Sequence, residues 1–414
     1  VRIAIVGTGI SGMVAAYLLS DAHEITVFEA GDYVGGHTNT VAVQDPDGPL
    51  NVDTGFIVYN ERTYPNFCKL LDRLGVETQP SDMSFSVRDE ATGLEYKGDN
   101  LNTLFAQRRN LLRPGHYRML YDILRFYRQA RRLLHEGPSS LTLGDYVRQH
   151  RYSDEFVKRH LIPMGAAIWS ANPRQFYEFP IHYFVRFCHN HGMLNIFDRP
   201  QWRVVRGGSI RYVDKLTAPY REHIRLNTPV TSVRRLPTHV EVSSSYHDRE
   251  RFDQVILATH SDQALKLLAD PSEAETAILG VMNYQVNDVV LHTDTRCLPQ
   301  HQRAWASWNY HIPRREQATA TMTYNMNMLQ TLDTARTFCV TLNATGQIDD
   351  RQILRRLVYE HPVYTTQSVA AQARHAEING VNRTHYCGAY WGYGFHEDGV
   401  NSALSVCRNF GEGL

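Results

Sequence analysis

Two glycine clusters and one carboxylate near the start of the chain have the types and spacing to hold a dinucleotide. Gly7-Thr8-Gly9-Ile10-Ser11-Gly12 follows the apolar run Ile3-Ala4-Ile5-Val6 and precedes the helical segment Met13 to Leu19. Gly7 permits the tight turn, Gly9 puts no side chain in the path of a pyrophosphate, and Gly12 lets helix and strand pack closely. Ile10 and Ser11 sit at the helix mouth, whose free N–H groups favour phosphate. Glu29, followed by Ala30, ends a second strand 22 residues after Gly7, where a carboxylate accepts hydrogen bonds from an adenosine ribose. Gly35-Gly36-His37-Thr38 adds a second turn suited to a pyrophosphate. A nicotinamide domain has no need of that turn, so the dinucleotide reads as FAD. Far along the chain, Tyr390-Trp391-Gly392-Tyr393-Gly394-Phe395 leads into His396-Glu397-Asp398. So dense an aromatic run forms either a wall beside a flat flavin or a loop filling a domain junction. Proton transfer beside a flavin calls for a histidine or carboxylate of tuned pKa. His396 and Glu397 are therefore the candidate catalytic bases, with Tyr390 a third candidate catalytic residue and Asp398 a helix cap.

These residues lie hundreds of positions apart, so the fold must bring them together. Strand and helix signals alternate over residues 1–40, short strands fill 203–260, and a glycine- and aromatic-rich stretch precedes a helix at 384–408. This pattern predicts an α/β domain interleaved with an α+β domain. The expected FAD-binding domain takes residues 1–75, 196–265 and 376–414, and the expected substrate domain takes 76–195 and 266–375. A linker is expected at 136–140. The chain has 414 residues, with 43 Lys+Arg against 43 Asp+Glu, and a neutral total argues against a nucleic-acid partner. No apolar run approaches the ~18 residues of a spanning helix, no signal peptide is expected, and the cytoplasm is the expected location. Six scattered cysteines without a C-x-x-C pair fit neither a disulfide scaffold nor a zinc ribbon. Cys188-His189-Asn190-His191 is spaced too tightly for a metal site, and none is expected. No G-x-S-x-G elbow supports nucleophilic hydrolysis.

The pattern of the first glycine motif, Glu29-Ala30 and Gly35-Gly36 resembles the flavin-containing amine oxidase superfamily. The resemblance continues at Arg206-Gly207-Gly208-Ser209, at Thr228-Pro229-Val230 and at Val255 to Thr259, and again at Tyr386-Cys387-Gly388-Ala389 and Gly399-Val400-Asn401-Ser402-Ala403. It implies a glutathione-reductase-like Rossmann FAD domain beside a substrate domain with a mixed sheet. It also implies that Val230 and Ala258 lie at the nucleotide and Gly388, Gly399 and Val400 at the flavin, and that the FAD is non-covalent, with Cys387 a buried thiol. Asp53-Thr54-Gly55-Phe56, Pro163-Met164-Gly165-Ala166-Ala167-Ile168-Trp169-Ser170, Asn190-His191-Gly192 and Gly394-Phe395-His396-Glu397-Asp398-Gly399 look like a bacterial subgroup of these proteins. That subgroup is associated with cyclopropane-type fatty-acyl methyltransferases and with desaturation of methyl-branched acyl chains. Two departures from the superfamily matter. His37 stands where a pyrophosphate-pairing arginine is usual. The flavin-side lysine of amine oxidases would fall near Asn287, and no lysine follows Lys266.

The expected activity is FAD-dependent dehydrogenation of a lipid acyl chain, methyl-branched phospholipid acyl groups being the leading substrate. Oxidation of a soluble amine by oxygen is the alternative enzyme, and a flavin-binding scaffold the alternative of another class. Residues 101–135 hold eight arginines and one acid, Asp122. Met119, Ile123, Phe126, Ala130 and Leu133 fall on one helical stripe, and Arg118, Arg125, Arg128 and Arg132 on another face. Such a helix either lies on an anionic membrane, here the inner face of the cytoplasmic membrane, or packs in the substrate domain. The oligomeric state is left open.

Overall fold

A computed structural model describes residues 1–46, 48–137, 140–315 and 319–414. The linker expected at 136–140 falls partly on Pro138 and Ser139, outside the described residues.

The apolar runs of the first motif form strands buried on both faces, as a sheet covered on two sides requires. Arg2–Val6 lies between Glu24–Phe28 and Gln254–Leu257, all parallel. Ile224–Arg225 and Thr384–Tyr386 complete the two edges, so five strands follow the spatial order 224–24–2–254–384 by first residue. All five strands come from segments expected in the FAD domain. The helix Ile10–Leu19 rises from the glycine turn and packs on the last long helix, His396–Cys407, through a shared apolar core. A short antiparallel sheet, Val230–Arg235, Val240–Ser244 and Glu250–Phe252, stands beside it.

A seven-stranded sheet dominates the rest. Its strand order is Ile353–Val363, Asn283–His292, Cys339–Leu342, Thr321–Asn325, Trp308–Ile312, Phe85–Asp89 and Leu94–Lys97. Neighbours are antiparallel except for Trp308–Ile312 against Phe85–Asp89, so the sheet is mixed. Every strand of it falls in segments expected in the substrate domain. One pairing joins the two expected domains: Thr78–Ser81, in the segment expected in the substrate domain, pairs with Trp202–Val205, in a segment expected in the FAD domain.

Helices Pro114–Ala130, Leu143–Gln149, Ile162–Trp169 and Ile181–Asn190 pack around an aromatic core that includes Phe126, Phe156, Phe176 and Phe184. Pro163 has no N–H to give the helical ladder, and the turn ahead of it, Val157–Leu161, widens into a π-helix.

The basic stretch breaks into Leu101–Leu104, Arg108–Leu112, Pro114–Ala130 and Arg131–His135. Its expected apolar stripe turns inward: Met119, Phe126, Ala130 and Leu133 are buried. Arg125 departs from the expected outer face, because Asp122 holds it at 2.9 Å and Tyr152 lies under its guanidinium. The residues left outside include Leu111, Leu112, Tyr117, Arg118, Tyr121, Leu124 and Arg128. Among the described residues no helix is long and apolar enough to cross a membrane.

Candidate active site

The two glycine turns meet. Gly35 donates its N–H to the carbonyl of Thr8 at 3.1 Å, and a Cβ on Gly36 would come within 3.1 Å of the Gly9 Cα. Gly7 has φ +102°, and a Cβ there would strike the Ala258 carbonyl at 2.7 Å. A Cβ on Gly12 would strike the Gly7 carbonyl at 2.0 Å, so only glycine lets the helix cross the strand here. At Gly9 a Cβ would meet nothing within 4 Å. That open space, at a helix N-terminus between two glycine turns, is the shape a diphosphate fills. Glu29 accepts from the Thr8 N–H at 3.0 Å and the Gly31 N–H at 2.8 Å, which aims its carboxylate beside the turn.

A cavity of about 710 Å³ runs from this turn toward the seven-stranded sheet. Gly7, Gly9, Ile10, Ser11, Glu29, Ala30, Gly35, Gly36, His37, Val230, Ala258, Gly388, Tyr390 and His396 all line it. The structure thus brings together most of the residues singled out in the sequence. Gly12, Thr38, Gly399 and Val400 stand behind the wall. A Cβ on Gly399 would meet Ile10 Cγ2 at 2.6 Å, so this glycine sets the contact between the two helices, and Val400 sits in their core. Cys387 is fully buried and is not among the lining residues.

His396 begins the final helix and stacks on Phe56 with ring centroids 3.4 Å apart. Its Nε2 lies 3.0 Å from both Thr38 Oγ1 and Tyr212 OH, and those hydroxyls lie 2.6 Å from each other. Burial, and then the nearby His37, hold its pKa well below 6.5, so the ring is neutral at ordinary pH. Glu397 sits elsewhere. Its carboxylate accepts from the N–H groups of Asn66 (3.0 Å) and Phe67 (2.8 Å), in the first turn of helix Pro65–Arg73, and faces a separate pocket. Asp398 accepts from the Phe395 N–H at 3.0 Å, and burial pushes its pKa up to about 7. The Tyr390 ring lies where a Cβ on Gly388 would clash, and its hydroxyl is buried.

The substrate sheet contributes lining residues that the sequence did not single out: Tyr284, Trp308, Tyr324, His361 and Pro362. The period-2 alternation of a strand could have marked one face of Ile353–Val363, but which face meets a cofactor is a tertiary fact. Asn287, where the amine-oxidase lysine was expected, is buried outside the lining. It donates from Nδ2 to His361 Nδ1 at 2.9 Å while its Oδ1 accepts from Asn343 at 2.8 Å. Lys266 is the one lysine among the described lining residues, and it pairs with Asp262 at 2.8 Å. His189 and His191 line the separate pocket, and the His191 ring stacks on Phe187 and Trp202.

A turn that a Cβ would close, an open diphosphate position and a long cavity edged by flat rings together fit FAD. Three solved structures share this fold over nearly their whole length. Cyclohexylamine oxidase from Brevibacterium oxydans IH-35A matches at TM-score 0.68 and 15% identity, covering 99% of both chains. Putrescine oxidase bound to putrescine matches at 0.70 and 14%, again covering 99% of both. A conjugated-linoleic-acid-producing fatty acid isomerase from P. acnes matches at 0.71 and 15%, covering 99% of this chain and 98% of that one. The family model for flavin-containing amine oxidoreductases matches residues 10–342. The chain therefore belongs to the flavin-containing amine oxidoreductase family and is an FAD-dependent oxidoreductase.

Proposed function

We propose that this enzyme dehydrogenates a lipid acyl chain, with methyl-branched phospholipid acyl groups as the leading substrate. The observation that carries the reading is the chemistry of the cavity wall. Ile57, Val58, Ile168, Trp169, Trp308, Tyr324 and Phe395 line it. Among the described lining residues the carboxylates are Glu29, against Thr8, and Glu360, on strand Ile353–Val363 against His260, both at the nucleotide end. A wall of rings and aliphatic chains favours an apolar substrate and gives a cationic amine no counter-charge. FAD held by the glycine turns and Glu29 would supply the two-electron oxidation, as the acceptor of a hydride equivalent from one substrate C–H. His396 is the proposed acceptor of the proton from the neighbouring carbon, leaving a C=C bond. Its neutral ring, fixed by Phe56, Thr38 and Tyr212, is ready to take that proton. Tyr390 is the proposed aromatic wall, and Glu397 the cap of helix Pro65–Arg73 rather than a base.

Substrate that resides in a bilayer must be met there. The outward face of helix Pro114–Ala130 and the turn before it combine Leu111, Leu112, Tyr117, Tyr121 and Leu124 with Arg118 and Arg128. The one acid of the stretch, Asp122, is buried. Arg118 reaches Asp122 at 3.2 Å, yet eight arginines to one acid leave the stretch strongly positive, and apolar and tyrosyl tips among them match an anionic lipid surface, which is the proposed partner of this face.

Anaerobic mixing with phospholipids tests the reaction directly. Bleaching of the bound flavin by branched-chain phospholipids and not by straight-chain ones is the expected result. Reduction by a polyamine, with peroxide formed once air is admitted, would replace this reading with amine oxidation.

A further inference from the structure

Cofactor diphosphates are usually met by a permanent positive charge or by backbone N–H groups alone. Here the residue after the second glycine turn is His37, and the fold places two more imidazoles beside it. The His37 ring centroid lies 5.4 Å from that of His361 and 6.1 Å from that of His260, and all three rings line the cavity with Gly9, Gly35 and Gly36. The backbone around His37 is firmly set. Its carbonyl accepts from the Phe56 N–H at 2.8 Å, and a Cβ on Gly55 would strike that carbonyl at 2.0 Å. One side of the ring meets Tyr359 at 5.0 Å.

The proton inventory of this cluster is informative. The Glu360 backbone beside His37 favours the charged ring, and the His37 Nε2 is buried without a partner among the described residues. No contact within the described residues holds a proton on Nε2. Phosphate oxygens only accept, so they cannot bond to Nε2 until it carries a proton. His361 differs, because the Asn287 amide donates to its Nδ1 and so fixes its proton on Nε2. His260 stacks on Tyr284 at 4.3 Å, with its Nδ1 3.3 Å from the Glu360 carboxylate.

We propose that His37, supported by His260 and His361, binds the FAD diphosphate by taking up a proton as the cofactor docks. The groups facing His37 are His260 from the nucleotide side, Tyr359, Glu360 and His361 from strand Ile353–Val363 of the substrate sheet, and His396 from the last long helix. Of these only Glu360 is anionic, so the diphosphate adds most of the negative charge that stabilises an imidazolium. Without it, burial and His260 push the His37 pKa down to about 4, and burial and His37 push His361 down to about 3. Binding thus raises a low pKa. Affinity is then highest at acid pH and falls as pH climbs through the pKa of the bound form, by up to about tenfold per pH unit for one proton.

Equilibrium dialysis of the full-length enzyme against FAD tests this, at steps from about pH 6 to pH 9. The Kd for FAD is expected to rise across that range. Calorimetric heats of binding are expected to differ between buffers of different ionisation enthalpy by the amount that proton uptake requires. His37→Arg, with a fixed charge, is expected to bind FAD with a pH-independent Kd and no proton uptake, and His37→Gln to bind weakly at every pH. Tight binding with a flat Kd and buffer-independent heats in the wild-type protein would overturn the proposal while leaving FAD as the cofactor. Failure to bind FAD at any pH would overturn both.

Discussion

His396 and Glu397 are adjacent in sequence and perform different work, and two substitutions separate them. His396→Gln is expected to slow anaerobic flavin reduction by roughly 10²- to 10⁴-fold, the usual contribution of a positioned base. Because its pKa is held well below 6.5, the reduction rate is expected to stay flat between about pH 6 and pH 8. An inflection near 6.5 in stopped-flow rates would remove His396 from that role. Glu397→Ala is expected to leave the reduction rate unchanged and to cost ~0.5–2 kcal/mol of stability, read by denaturant unfolding, because Asn66 and Phe67 lose their acceptor. Sequence spacing exposed the glycine turns and Glu29, since their roles depend on local backbone geometry. It could not separate His396 from Glu397. One helical position rotates a side chain by about 100°, and which of the two faces the cavity depends on helix packing.

At the scale of elements, a buried ion pair ties the small antiparallel sheet to the parallel one. Arg235 forms paired hydrogen bonds to Glu275 at 2.8 and 3.0 Å, and Tyr386 donates to the same carboxylate at 2.5 Å. Arg235→Met is expected to destabilise the protein by roughly 3–5 kcal/mol, since it strands a buried carboxylate. The Arg235 and Tyr386 contacts overcome burial and hold the Glu275 pKa down to about 2, from 4.5. A depressed carboxylate contributes stability that is present above pH 4.5 and lost as pH falls toward 2. Glu275→Gln is expected to flatten the acid limb of a thermal-melting profile over that window. The parallel strands were legible from their continuous apolar runs. The seven-stranded sheet was not, because Trp308 pairs with Phe85 far back along the chain and no local pattern encodes such a pairing. The apolar stripe of helix Pro114–Ala130 packs into the substrate domain, one of the two placements its sequence allows. The residues left outside are those between the stripe positions.

For the whole molecule, a charge total of zero conceals an uneven distribution, with seven net positive charges in residues 101–135. Binding to vesicles containing anionic phospholipid is expected, with loss at high salt and with little binding to neutral vesicles, as flotation would show. Leu112→Ser with Tyr121→Ser, and separately Arg118→Gln with Arg128→Gln, are each expected to weaken it. Vesicle binding untouched by either pair would place the lipid contact elsewhere. The parallel sheet has a further consequence, for the order of events during synthesis. Its glycine turn lies at residues 7–12, while its last strand, Thr384–Tyr386, and the helix bearing His396 come near the other end of the chain. At about 5–20 residues per second, a ribosome finishes the first half of the cofactor cradle tens of seconds before the second. The early strands, apolar on both faces, must wait for partners that are still unmade. A chain halted before residue 384 would keep the glycine turn and lose the edge strand and the final helix, so FAD bound to a full-length chain reports that synthesis reached its last strand.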